Sequence, residues 1–152
     1  MRHSPRAERF DEGFTLIELM IVVALAALLL TIALPMYQES TRKGRRAEAV
    51  AALTQLSQAQ ERYRANNTAY ATTFAAMVPQ PASSTPHYTL NIAAAAASSY
   101  TLTATAKATS PQFADTNCRV LSLAAAAGNM VYESTDAGGT VDTTNAKRCW
   151  AR

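Results

Sequence analysis

Hydrophobic and polar positions divide the chain into three unlike stretches. Residues 1–13 are short, polar and charged. From Phe14 to Leu34 about 21 residues are almost wholly apolar, long enough at helical rise to cross a bilayer core of ~30 Å. Pro35 follows and is expected to end or kink this run, since proline lacks a backbone donor and clashes with the preceding turn. From Gln38 to about Ala65 the helical signal continues in amphipathic form, with Val50, Leu53, Leu56, Ala59 and Tyr63 recurring at three- and four-residue steps. Asn66-Asn67 is a C-terminal signal, so the pattern predicts one long helix that is lipid-compatible in its first half and core-packing in its second.

Beyond the helix the period changes. Thr68 to Pro86 holds Pro79, Pro81 and Pro86 and reads as a loop with one turn near Phe74–Met77. Alternation then predicts strands at Tyr88–Ile92 and Tyr100–Ala106, followed by Cys118–Leu123 and Met130–Glu133 around a hairpin at Gly128-Asn129. Asp136 to Arg148 is turn-rich. The fold class expected is α+β: a long N-terminal helix on a small antiparallel sheet of about four strands. The organisation runs as residues 1–13, 14–35, 36–66, 67–86 and 87–152.

Composition refines this picture only slightly. Much of the 49% apolar content is alanine, which buries little area per residue. The net charge of +3 is small evidence for a nucleic-acid partner. Cys118 and Cys149 are the two cysteines; an even count beside an export element favours one disulfide in an oxidising compartment, with two free thiols as the alternative. They do not form a metal site, because the usual ligand pairs are missing. Charge counting leaves topology close to a draw, with Arg2, Arg6 and Arg9 before the span and Arg42, Lys43, Arg45 and Arg46 after it. The cysteines decide for an N-terminus inside and a C-terminal domain outside the cytoplasm.

Glu18 is the residue that needs explaining. A carboxylate in a membrane helix costs ~2.5–3.5 kcal/mol at the centre and less toward an end. Cleavage after Gly13 would expose a free amine on Phe14, a counter-charge at helical spacing for Glu18 of the same chain or of a neighbour. A protonated glutamate near the interface is the alternative, as an uncut signal anchor is for the leader.

The run Gly13-Phe14-Thr15-Leu16-Ile17-Glu18-Leu19, with the apolar stretch behind it, resembles the processing motif of type IV pilin precursors. The likeness continues through Pro35, Arg46-Ala47-Glu48-Ala49, Glu61-Arg62-Tyr63, Tyr70 and the closing Cys149-Trp150, as in major-type pilins of Gram-negative bacteria. That resemblance implies a prepilin held in the inner membrane and cut between Gly13 and Phe14 by a prepilin peptidase. Phe14 would then be N-methylated and the subunit polymerised by the assembly machinery, with itself and other pilins, into a surface filament. Glu18 would pair with the Phe14 amine of an adjacent subunit, Pro35 would mark where the helix bends or melts, and Cys118 and Cys149 would bound a surface loop. Asp11 and Glu12 stand beside the cleavage glycine, where lysine or arginine is more usual in the family.

Other functions have less to stand on. His87 is the single histidine beyond the leader, and Asp115, Asp136 and Asp142 fall in turn-like contexts where aspartate caps local backbone. No phosphate-cradling loop or nucleophile elbow is present, so no catalytic residue, cofactor or metal is expected. A DNA-binding uptake pilin is one alternative. Its candidates are Arg42-Lys43-Gly44-Arg45-Arg46, for which lipid headgroups are the simpler partner, and Lys147, Arg148 and Arg152 beside Trp150. A minor pilin or a pseudopilin of type II secretion is the other.

Overall fold

A computed structural model of the chain describes residues 14–142 and 146–150. The chain divides into two compact units after Gln38. Helix α1, Leu16–Arg64, begins in the first unit and ends in the second.

In the first unit Thr15 caps the helix: its Oγ1 accepts the Glu18 N–H at 3.2 Å, and its carbonyl takes the Leu19 N–H at 3.2 Å. Every residue from Phe14 to Gln38 is exposed. A helix apolar on all sides cannot rest in water and requires lipid or other helices around it. Pro35 does not end this helix, contrary to one of the two outcomes its sequence position allows. Its cost is local, the loss of one donor to the Thr31 carbonyl, and helix-favouring residues flank it on both sides. One turn earlier the Thr31 hydroxyl donates to the Leu28 carbonyl at 2.7 Å.

In the second unit α1 buries Arg46, Ala49, Leu53, Leu56, Ser57, Ala59 and Gln60, a stripe at three- and four-residue spacing. The predicted Leu53, Leu56 and Ala59 lie at its centre, while Val50 and Tyr63 are half-buried against it. Three polar members were not foreseen. Gln60 is buried because its amide copies a backbone pair: Nε2 donates to the Ala71 carbonyl and Oε1 accepts the Ala71 N–H, both at 2.8 Å. The helix stops at the expected asparagines, where Asn67 Nδ2 donates to the Tyr63 carbonyl at 2.7 Å.

A 3-10 turn at Phe74–Ala76 follows, within the predicted loop. The sheet is an antiparallel meander in sequence order: β1 Tyr88–Ala95, β2 Ser99–Ala106, β3 Val120–Ala126, β4 Asn129–Thr135 and the two-residue edge β5 Val141–Asp142. The four expected strands are present and β5 adds a short fifth. Period-two alternation sends Tyr88 and Leu90, Tyr100, Leu102 and Ala104, and Leu121, Leu123 and Ala125 into the core. The β3–β4 turn is centred on Ala127-Gly128, one residue before the position expected, with Ala126 paired to Asn129. Both turn residues have positive φ, at 49° and 82°, as a two-residue hairpin of right-handed twist demands.

Candidate functional site

Three places carry the sequence-level candidates, and the first is the helix start. Phe14 is 85% exposed, and Glu18 is exposed in the first turn of α1. Thr15 and Glu18 occupy the N-cap and N3 positions, so the backbone N–H of residue 18 is satisfied by the cap whatever its side chain does. The carboxylate also sits at the positive end of the helix dipole. Among the described residues no cation pairs with it. Gly13 lies outside the described residues.

The second place is the basic run after the span, and here one reading must be corrected. Arg46 does not face phosphates. It is buried, donating from Nε to Asp115 Oδ2 at 2.6 Å and from Nη2 to Oδ1 at 2.9 Å. Glu39 stands 3.5 Å from Nη1, and Gln112 Nε2 donates to Asp115 Oδ2 at 2.8 Å. Asp115 therefore does not cap local backbone as its turn context suggested; it holds the β2–β3 connection to α1 by a two-pronged ion pair. Burial opposes the Arg46 charge most, but the hydrogen bond and charge of Asp115, helped by Glu39, raise its pKa above the ordinary arginine value. Burial, with the Asp115 charge as a lesser cause, pushes the neighbouring Tyr88 hydroxyl up to about 12. By contrast Lys43 is exposed, and Arg42 and Arg45 are half-exposed.

The third place is the C-terminal closure. Cys118 and Cys149 are joined in a disulfide, with Cα atoms 5.6 Å apart. Closing a 31-residue separation contributes roughly 3.5 kcal/mol by the loop-entropy estimate. Trp150 is buried, its indole N–H donates to the Glu133 carbonyl at 2.8 Å, and its ring meets Tyr132 edge-on at 4.9 Å. The tail is thus fixed to β4 by packing as well as by the bridge. Arg148 is exposed beside it. The Lys147 side chain and Arg152 lie outside the described residues.

His87 and Asp136 have structural partners, and the Asp142 side chain lies outside the described residues. His87 Nδ1 lies 2.8 Å from Ser110 Oγ, which also accepts the Gln112 N–H at 3.1 Å and so caps the 3-10 turn Pro111–Ala114. Asp136 Oδ1 accepts from the Gly138 and Thr140 amides, both at 2.8 Å, the local role expected of it. Among the described residues no group of three or more His, Cys, Asp or Glu is placed to hold a metal ion.

Sequence reasoning missed the Arg46–Asp115 pair and the Thr15 cap. The cap had a readable signal, the Thr-x-x-Glu spacing of a capping box. The ion pair had none, because its members are 69 residues apart.

Comparison with known proteins gives two matched families. Residues 9–34 match the prokaryotic N-terminal methylation motif, and residues 35–122 match the family described as type IV minor pilin ComP, DNA uptake sequence receptor. The type IV wide pilus major component PilA4 of Thermus thermophilus is 34% identical over 97 residues, which is 63% of this chain and 74% of that protein. The type IV major pilin protein PilE1 of Neisseria gonorrhoeae is 50% identical over 40 residues, 26% of this chain and 24% of its own length. A fimbrial protein of Neisseria meningitidis serogroup B matches to the same extent.

Proposed function

The chain belongs to the type IV pilins, in the family typified by the minor pilin ComP, and on that premise we propose how its N-terminus drives assembly. It is a structural subunit of a type IV pilus. The precursor waits in the inner membrane through the apolar half of α1, with its N-terminus in the cytoplasm and its disulfide-closed domain in the periplasm. A prepilin peptidase cuts between Gly13 and Phe14, the new Phe14 amine is methylated, and the assembly machinery withdraws the helix into a growing filament of like subunits and other pilins. There Glu18 of one copy meets the Phe14 amine of the next. Helices packed along a smooth leucine surface are indifferent to axial register, whereas one buried charge pair penalises every wrong register by leaving an ion unpaired. Pro35, which removes one hydrogen bond from α1, is where that helix yields as it leaves lipid for the fibre.

The observation that carries this reading is an all-round apolar helix whose charged residue is placed at its very start, directly behind a methylation motif. Mass spectrometry of filaments sheared from cells tests it. The chain is expected to begin at N-methylated Phe14, and its abundance separates a major from a minor subunit. A filament chain that still carries residues 1–13 would contradict the processing step.

A second reading has one observation in its favour, the match of residues 35–122 to a family described as a DNA uptake sequence receptor. On that reading exposed Arg148, with Lys147 and Arg152, supplies phosphate contacts beside the disulfide. Binding of duplex DNA by the full chain should weaken steeply with salt and be lost in Lys147→Ala/Arg148→Ala. Absence of binding at low salt would end it.

A further inference from the structure

We propose that Arg42, Lys43 and Arg45 form a site for anionic phospholipid headgroups, used while the subunit waits in the membrane; the proposal rests on reading the first half of α1 as the span. Five consecutive residues, Arg42 to Arg46, read as one basic cluster in the sequence, but the fold divides it. Arg46 is spent on Asp115, and of the two acids that flank the cluster Glu39 lies against Arg46, while Glu48, three residues beyond Arg45, makes no ion pair with it. Among the described residues no hydrogen bond or ion pair engages the side chains of Arg42, Lys43 or Arg45. The three ring the helix: Lys43 is exposed, Arg42 and Arg45 are half-exposed, and a Cβ added at Gly44 between them would meet nothing within 4 Å.

Three features make lipid phosphate the fitting partner. Arg42 and Arg45 are three residues apart, neighbours on the helix surface at ~5–6 Å between Cβ atoms, so they repel unless an anion lies between them. They follow Leu34, the end of the continuous apolar run, by only eight and eleven positions. So short a separation in sequence leaves long side chains free to snorkel into the phosphate layer that borders a span. Finally, exported segments flanking a span ordinarily carry few Lys or Arg, so three cations in no ion pair there call for a counter-charge. Anionic headgroups supply one, and the attraction fades with salt.

The test uses the full chain in nanodiscs of equal phosphatidylcholine and phosphatidylglycerol, with native mass spectrometry counting the lipids that stay bound. The wild type is expected to retain phosphatidylglycerol preferentially, and each of Arg42→Gln, Lys43→Gln and Arg45→Gln to cut that preference about fivefold. Arg62→Gln, a change at an exposed arginine further along α1, should leave it unchanged. Inorganic phosphate at matched ionic strength should not displace the lipid. Equal retention of both lipids, an unchanged preference in the triple variant, or displacement by inorganic phosphate would overturn the proposal. So would salt-sensitive self-association lost in the triple variant without any lipid preference, which would assign these cations to carboxylates of a second copy. Flotation with pure phosphatidylcholine vesicles separates the premise from the proposal: a chain that fails to float refutes the span, and the site with it. One that floats yet shows no phosphatidylglycerol preference refutes the site alone.

Discussion

Asp115→Ala is expected to destabilise the folded unit that begins at Glu39 by about 3–5 kcal/mol, the usual cost of removing one partner of a buried ion pair. The Arg46 and Asp115 side chains are only 5% and 3% exposed, so water cannot take the place of the lost carboxylate. The change strands two groups at once, the Arg46 guanidinium and the Gln112 amide. Glu39 compensates little, since it is 3.5 Å from Arg46 and 44% exposed. Against a typical total of about 5–15 kcal/mol for a domain, that loss is large. Denaturant unfolding of the full chain in detergent, followed by the fluorescence of Trp150, measures it. The paired replacement Arg46→Met/Asp115→Leu separates a stranded charge from a lost attraction: it should recover most of the stability, because it removes both ions together. A loss below about 1 kcal/mol in Asp115→Ala would mean that water or Glu39 satisfies Arg46 after all.

Local patterns made most of this fold legible. The 3.6-residue period found α1 through Leu53, Leu56 and Ala59, and the two-residue period found all four principal strands. Both signals arise from burial on one face, which a sequence records directly. What stayed hidden depends on partners distant in the chain. Arg46 reads as one more cation in a basic run until the β2–β3 connection brings Asp115 to it. Gln60 breaks the apolar stripe until Ala71 is seen to complete it. The turn at Ala127-Gly128 slipped by one residue because Gly-Asn is an equally good turn sequence; the register of Ala126 on Asn129 decides it. At the N-terminus the sequence singles out Glu18 as the residue to explain, because an acid in an apolar run is conspicuous, and the structure adds the Thr15 cap beneath it.

That cap clarifies the second large effect, which concerns Glu18 itself. The Thr15 bond uses the backbone N–H of residue 18, so Glu18→Gln leaves the helix start intact and removes only the charge. The precursor should therefore insert, be cut and be methylated as before. In the filament each copy would then bury a Phe14 amine with no carboxylate opposite, a penalty of about 3–5 kcal/mol per subunit, or roughly a hundred- to several-thousandfold on each addition. Thr15→Val is the matched control. It loses the cap, worth about 0.5–2 kcal/mol, but keeps the charge, and should still polymerise with the natural repeat.

Electron cryo-microscopy of filaments from cells expressing Glu18→Gln gives the most direct answer. The prediction is few or no filaments despite normal levels of processed subunit, and no single axial spacing in any that form. Filaments in natural numbers with the natural axial spacing would show that the charge pair does not set the register.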